Sequence, residues 1–348
     1  MGHYRAQFWT SKMTRAPRTI LVTGAGGFVG LALTRMLVAR GDRVRHYSRR
    51  AYRSLAELGV EQNLGELDDT DALSRAMRGC DSVAHVAARA GVWGTLGDFW
   101  RPNVLGTRSV ISACLKTGIS RLVVTSSPSV VFHAGGHEGA DEHLPYPARH
   151  GSLYSRTKAI AEKEALAANS PSLAVTALRP HLVWGPGDPH LLPRLYARAR
   201  AGRLVKLGSG GMVDTTCVAN AAHAHLLALD AVAPGAACAG KAYFIANDEP
   251  TPLWELIDRL LAAEGLPPVS RAVPVSLARA VAAVSECLWA CFPLPGEPPT
   301  TRFVVEELSA SHWYSLAAAR RDLGYQPIVT LAQGLAELHT CRTVGTNQ

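Results

Sequence analysis

Hydrophobic positions in this chain follow two alternating rhythms over its first half. Short apolar runs such as Ile20-Leu21-Val22 have the length and composition of strands buried on both faces. Between such runs, apolar residues recur at helical spacing. Leu33, Leu37 and Val38 carry one stripe as far as Gly41, a glycine placed to end a helix. The pattern predicts strands at 19–23, 43–48, 82–87, 121–126 and 173–179, with helical segments between them. One of these helices spans about 102–117 and stops against Gly118. Strands alternating with helices predict an α/β fold, a doubly wound parallel sheet of the Rossmann kind.

From Trp184 the rhythm changes. Pro-Gly turns, a helix over 191–201, the run 213–218 and a helix beginning after Asn220 follow one another. Lys241–Ile245 reads as a strand returning to the first sheet, and 250–330, rich in Pro and Trp, completes a smaller lobe. The expected organisation is a disordered arm over 1–18, a nucleotide-binding domain over 19–183 joined by strand 241–245, and an interwoven C-terminal substrate lobe over 184–240 and 246–340. A chain of 348 residues is long enough to bury a large core.

Charge changes this picture little. The formal net charge is +8, and Arg5, Lys12, Arg15 and Arg18 supply half of that excess from the arm. The other basic residues are scattered, without the aromatic-interleaved stripe of a nucleic-acid face, so no nucleic-acid partner is expected. The arm lacks the apolar centre of a targeting peptide. Seven cysteines, an odd number with no secretory signal, suit free thiols in the reducing cytoplasm. Cys287 and Cys291 share a helical face, but nothing nearby completes a zinc site. The spacing of His133, His137, His143 and His150 fits loop residues, and no metal is expected.

Two motifs carry chemistry. Between the first strand and first helix lies Thr23-Gly24-Ala25-Gly26-Gly27-Phe28-Val29-Gly30. Gly24 permits a tight turn, Gly27 lets the backbone approach a pyrophosphate, and Gly30 lets the helix close on the strand. The helix start at Phe28 and Val29 then offers unpaired N–H groups to phosphates. The second motif is Tyr154 and Lys158, four apart on one helical face. A lysine ammonium at ~4 Å and an effective ε of ~20 stabilises a phenolate by roughly 4 kcal/mol. That is about three pKa units, which predicts a tyrosine acid–base group near about pH 7.

The end of the second strand bears on the cofactor. An NAD site places a carboxylate there for the ribose 2′-OH. Arg43-Val44-Arg45-His46-Tyr47-Ser48-Arg49-Arg50 holds no acid, and none appears until Glu57. Arg49 and Arg50 instead suit a 2′-phosphate, which predicts NADP(H).

The order of glycine turn, serine strand ending in Thr125-Ser126-Ser127 and tyrosine–lysine helix resembles the extended short-chain dehydrogenase/reductase family over nearly the whole chain. The resemblance implies Ser127 as the serine of the triad, with Ser126 and Ser129 as local competitors. It implies Tyr154 as proton donor to the substrate oxygen and Lys158 on the nicotinamide ribose. Asn103, in Asn103-Val104-Leu105-Gly106-Thr107, matches the family motif that supports the site. Glu66 stands where the family has Asp near the adenine, and Leu67 and Ala87 complete the implied cofactor contacts.

Several segments look like one branch: His190-Leu191-Leu192-Pro193-Arg194-Leu195, Leu294-Pro295-Gly296-Glu297, His312-Trp313-Tyr314-Ser315 and Arg320-Arg321-Asp322-Leu323-Gly324-Tyr325. These are similar to the 2-alkyl-3-oxoalkanoate reductases of bacterial long-chain olefin biosynthesis, close to the 3β-hydroxysteroid dehydrogenases. The resemblance implies NADPH reduction of a long-chain β-keto acid to the β-hydroxy acid, and assembly with a β-lactone synthetase. A homo-oligomer is expected. Steroid dehydrogenase and sugar-nucleotide epimerase/dehydratase activities are the alternatives. A non-catalytic NADP-binding sensor is another, although it would not need Ser127, Tyr154 and Lys158 together. Arg89, Trp93, Trp184 and His190 are the expected substrate contacts, with Arg89 set to meet a carboxylate.

The segment 272–294 carries an apolar stripe of Leu277, Val281, Val284, Leu288 and Phe292. Arg279 and Glu286 interrupt it, and each such charge costs roughly 2.5–3.5 kcal/mol at a bilayer centre. A helix walling an acyl channel, or resting on a membrane surface, is expected rather than a span.

Overall fold

The computed structural model describes residues 16–292 and 294–345. Seven strands form its centre: β1 (Thr19–Thr23), β2 (Arg43–Ser48), β3 (Glu61–Leu64), β4 (Ser82–His85), β5 (Arg121–Thr125), β6 (Ala174–Pro180) and β7 (Lys241–Ile245). All pair in parallel, in the order β7-β6-β5-β4-β1-β2-β3. The order reverses between β1 and β4, which opens a crevice at the carboxyl ends of those strands. β1, β4 and β6 are buried along their whole length, including the polar residues Ser82, His85, Thr176 and Arg179. Edge strand β3 (Glu61-Gln62-Asn63-Leu64) has no apolar pattern, and only pairing with β2 defines it.

Successive residues of β1 feed opposite cores. Ile20 and Val22 join one cluster with Leu33 and Leu37 from the helix Phe28–Ala39. Leu21 joins the other with Leu73, Val110 and Val175. The helix Val218–Ala231 packs beside Phe28–Ala39 on the first of these faces. It lies in the segment expected for the second lobe, yet its small residues Ala219, Ala222, Ala224 and Ala228 seat it in the core of the nucleotide domain. It begins at Val218 rather than after Asn220. Buried Asn220 accepts from the N–H groups of Ile328 and Val329 and donates to the carbonyl oxygen of Val329.

The second lobe has its own core of Trp184, Leu192, Leu253, Trp254, Ile257 and Leu331. A small sheet fastens this lobe to the first domain, with strands Thr251–Pro252, Met212–Val213, His312–Tyr314 and His137–Ala140 in that order. The last strand belongs to the loop between Ser127 and Tyr154. His137, expected in an irregular loop, is therefore a buried strand residue, its ring 3.2 Å from the carbonyl oxygen of Val131.

Residues 1–15 of the expected arm lie outside the described residues. Arg18 is part of the fold: its backbone N–H donates to Asp42 (3.0 Å), and its guanidinium donates to the Leu229 carbonyl (3.0 Å) and pairs with Asp230. The helix Val275–Cys291 buries Ala278, Ala282 and Ser285. Its stripe of Leu277, Val281, Val284 and Leu288, continued by Phe292, is 42–60% exposed, so it faces outward rather than walling an internal channel. No helix among the described residues is long and apolar enough to cross a membrane.

Candidate active site

The glycine turn follows directly from β1. Gly24 has φ +73°, and a Cβ there would lie 2.8 Å from the backbone of Ala87 at the end of β4. A Cβ on Gly30 would lie 2.1 Å from the Gly24 carbonyl oxygen, so only glycine lets this helix close on the strand. Gly27 donates its N–H to that same oxygen at 2.9 Å and stands at the helix N-cap, where no described side chain caps the first turn. The first turn holds no acid either, so its N–H groups at Phe28 and Val29 suit an anion. This backbone cradle fits the pyrophosphate of a dinucleotide.

Gly26 was not singled out by the glycine spacing, yet a Cβ there would lie 2.4 Å from the ring of Tyr52. Tyr52 covers the turn and is held by Arg50, whose guanidinium lies 5.0 Å from the ring centre and whose Nε donates to the phenol oxygen at 3.1 Å. Arg49 and Arg50 are both exposed beside it. Glu66 points its carboxylate toward Arg101 at 3.8 Å, and its carbonyl accepts from the Tyr47 hydroxyl at 2.9 Å. Leu67 packs on Gly106, 2.5 Å from where a Cβ would stand.

The second motif is built from β5 and the helix Leu153–Ala167. A reciprocal cap between Ser152 and Ser155 starts that helix, and Tyr154, Lys158 and Glu162 then fall at successive turns of one face. Ser127, extended after β5, stands close enough to Tyr154 to lower its hydroxyl, while Ser129 donates its backbone N–H to Ser127 Oγ at 3.2 Å. Of the three serines it is thus Ser127 that meets the tyrosine. Lys158 is buried and donates to the Thr125 carbonyl oxygen at 2.5 Å.

The electrostatics differ from the expectation of a phenol near neutrality. Burial raises the Tyr154 hydroxyl above its ordinary value, Ser127 pulls it down, and Glu307 pushes it further up. Lys158 is the perturbed partner: burial lowers it to about 8, against support from the Glu162 charge. Its ammonium is directed at the Thr125 carbonyl, so it does not draw the phenol down as a free cation would.

Asn103 ties these parts together from a π-helical turn, Arg101–Leu105. Its side chain accepts from the Arg89 N–H (2.8 Å) and donates to the Arg89 carbonyl and to Thr157 Oγ1, both at 3.1 Å. The loop after β4 is thereby pinned to the tyrosine helix.

The expected substrate residues do not converge as a set. Arg89 is exposed at the loop where Asn103 holds its backbone, and Trp93 is half-buried nearby. Trp184 is fully buried, donates to Thr215 Oγ1 at 2.8 Å and packs against Gly334, so it is core and offers no surface to a ligand. His190 is exposed at the start of the helix Leu191–Arg200, its N–H bound to Asp188. What stands near Tyr154 instead is Phe99, with ring centres 6.5 Å apart, and the helix Arg302–Ser309 carrying Phe303 and Glu307. Sequence reasoning missed Phe303 and Glu307, which have no local signal. Glu162 had one, lying four residues beyond Lys158.

A glycine turn at the crevice and Ser127, Tyr154 and Lys158 beside it define an oxidoreductase of the short-chain dehydrogenase/reductase class. The chain belongs to the 3-beta hydroxysteroid dehydrogenase/isomerase family, which matches residues 21–275. It is 52% identical over 324 residues to a 2-alkyl-3-oxoalkanoate reductase of Stenotrophomonas maltophilia (strain K279a), covering 92% of this chain and 98% of that protein. A protein of the same name from Shewanella oneidensis is 45% identical over 326 residues, covering 91% and 84%. Among solved structures, MoeE5 in complex with UDP-glucose and NAD superposes with a TM-score of 0.72 at 25% identity, covering 95% of this chain and all of that one. The protein is an oxidoreductase acting on CH–OH groups and uses a nicotinamide cofactor.

Proposed function

We propose that this protein reduces a long-chain 2-alkyl-3-oxoalkanoic acid to the 2-alkyl-3-hydroxyalkanoic acid with NADPH. The observation that carries the reaction type is Tyr154, with Ser127 beside it and buried Lys158 one turn away on the same helical face. The substrate class rests on similarity, along nearly the full length of both chains, to proteins named for that reaction.

A bound nicotinamide supplies the hydride. Tyr154 gives its proton to the ketone oxygen, and a phenol held above its ordinary value is protonated at neutral pH, the form a donor needs. Ser127 holds the same oxygen. Lys158, its ammonium held by the Thr125 carbonyl, reaches the cofactor ribose. Gly24, Gly27, Phe28, Val29 and Gly30 cradle the phosphates, with Glu66, Leu67 and Ala87 toward the adenine and nicotinamide ends. An acid-free end of β2 flanked by exposed Arg49 and Arg50 supports NADPH over NADH.

Arg89 meets the substrate carboxylate at the mouth of the site, with Trp93 beside it. In this reading the enzyme works in the cytoplasm in long-chain olefin biosynthesis, as a homo-oligomer that passes its product to a β-lactone synthetase. The outward stripe on Val275–Cys291 supports contact with a membrane periphery, where a two-tailed acid would partition. The test is substrate-dependent NADPH oxidation with a synthetic 2-alkyl-3-oxo acid, a 3-oxosteroid and a UDP-sugar. Preference for the acid is expected. Preference for either of the others overturns the substrate assignment.

A further inference from the structure

Edge strand β3 has no apolar pattern, yet one of its polar residues has a specific task. Gln62 stands opposite His46 in the parallel pairing of β2 with β3, so the two side chains rise from the same face of the sheet. Both reach Tyr52. The Gln62 amide takes the Tyr52 backbone at two points: Oε1 accepts its N–H at 2.7 Å, and Nε2 donates to its carbonyl oxygen at 3.2 Å. A side-chain amide can do this because it carries an acceptor and a donor side by side. The fully buried His46 ring meets the Tyr52 ring edge-on, with centres 5.6 Å apart.

Tyr52 in turn holds an arginine. Its ring lies over Gly26 of the glycine turn, with the Arg50 guanidinium 5.0 Å from the ring centre and Arg50 Nε donating to the phenol oxygen at 3.1 Å. The Arg50 backbone is fixed as well: Ser48 Oγ donates to its carbonyl oxygen at 2.8 Å and lies 2.8 Å from His46 Nε2. An exposed arginine otherwise samples many rotamers and loses that freedom when it binds an anion. Here the side chain is directed across the glycine turn before any cofactor arrives.

We propose that Gln62 is a specificity-determining positioning residue: by clamping Tyr52 it holds Arg50 ready for a ribose 2′-phosphate, and so sets the preference for NADPH over NADH. This rests on the reading of the cofactor as NADPH with Arg50 on its phosphate. The described side-chain hydrogen bonds of Gln62 all go to Tyr52, so its loss is felt where Arg50 acts rather than in the backbone cradle that both cofactors share. Arg50 supplies the charge, and Gln62 lowers the cost of placing it.

The experiment is fluorescence titration of NADPH and NADH with the full-length wild type, Gln62→Met, Arg50→Ala and the double variant. Methionine matches glutamine in length and makes neither bond. Gln62→Met should weaken NADPH about three- to tenfold and leave NADH within about twofold of wild type. In the Arg50→Ala background the same substitution should change NADPH by less than about twofold, because the group it positions has gone. Tyr52→Phe keeps the ring and the Gln62 clamp but removes the oxygen that Arg50 bonds. It should show a smaller loss, again for NADPH alone, and it tests the same chain of contacts if Gln62→Met does not fold. Equal losses for the two cofactors in Gln62→Met, an NADPH loss that persists in full without Arg50, or an unchanged NADPH constant in Tyr52→Phe overturns the role of Gln62 and leaves the NADPH reading standing. A wild type that binds the two cofactors equally overturns both.

Discussion

Glu162 turns both carboxylate oxygens to Arg179, accepting from Nε at 2.9 Å and from Nη2 at 2.7 Å. Both side chains are buried, at 0% and 3% exposure, and the Tyr146 hydroxyl donates to the same carboxylate at 2.6 Å. Burial works to raise the Glu162 carboxyl, and the arginine outweighs it, holding the acid below its ordinary range. The pair joins β6 to the tyrosine helix one turn beyond Lys158, whose ammonium the Glu162 charge supports.

Glu162→Gln leaves the Arg179 charge buried without its counter-ion. The expected cost is about 3–5 kcal/mol of stability, because the desolvation of Arg179 is no longer offset. The double variant Glu162→Met/Arg179→Met should recover most of it. The sign with pH follows from a depressed carboxyl. Its contribution is complete above 4.5, its ordinary value, and disappears as pH falls through the lower folded value. Denaturant titrations of the three proteins at neutral and acid pH check this. A loss under about 1 kcal/mol in the single variant would show that the cavity rehydrates.

Tyr154→Phe should lower turnover at least ~100-fold, the scale of a lost general acid, with NADPH affinity nearly unchanged. The ring keeps its packing against Phe99, so the fold should be intact. Single-turnover rates and cofactor titration separate the two effects. Turnover within tenfold of wild type would remove Tyr154 from the proton-donating role.

Lys158 is a functional group that costs stability. Its value of about 8 against 10.5 for an exposed lysine means that folding disfavours the ammonium. The penalty is complete below about pH 8 and is relieved as pH rises from there toward 10.5, since the unfolded chain keeps its proton longer. At neutral pH it amounts to about 3 kcal/mol at most, less the bond to the Thr125 carbonyl. Lys158→Met should therefore melt higher than wild type without cofactor, while losing both turnover and NADPH affinity. A lower melting temperature would mean that the Thr125 bond outweighs desolvation.

Legibility in the sequence tracked how local each cause is. Gly24 and Gly30 announce themselves because a positive φ and a close backbone approach exclude other residues there. Tyr154, Lys158 and Glu162 share a face by helical spacing alone. Strand β3 escaped because an edge strand needs no apolar pattern, and Glu61-Gln62-Asn63 has none. Trp184 reads equally well as a pocket wall or as core, and only its contacts with Thr215 and Gly334 decide for core. The stripe from Leu277 to Phe292 shows that one face is apolar but not that it points outward. The Glu307 charge acts on Tyr154 only through the tertiary placement of its helix, and no spacing in the chain encodes that.

The last prediction concerns the cofactor's phosphate. β2 ends without an acid, Arg49 and Arg50 are exposed there, and Arg50 reaches across Tyr52 above Gly26 in the glycine turn. A ribose 2′-OH gains little from guanidinium groups, whereas a 2′-phosphate accepts charge-assisted hydrogen bonds from them. Replacing both arginines with alanine should weaken NADPH binding by about 10- to 100-fold, with little change for NADH. Arg50 also steadies the Tyr52 ring over the turn, so Tyr52→Ala is the matching control. It should weaken both cofactors alike if the ring serves the shared adenosine or pyrophosphate. Fluorescence titration of both cofactors with the three proteins gives the dissociation constants. Equal losses for NADPH and NADH in the double arginine variant would show that these residues do not read the phosphate.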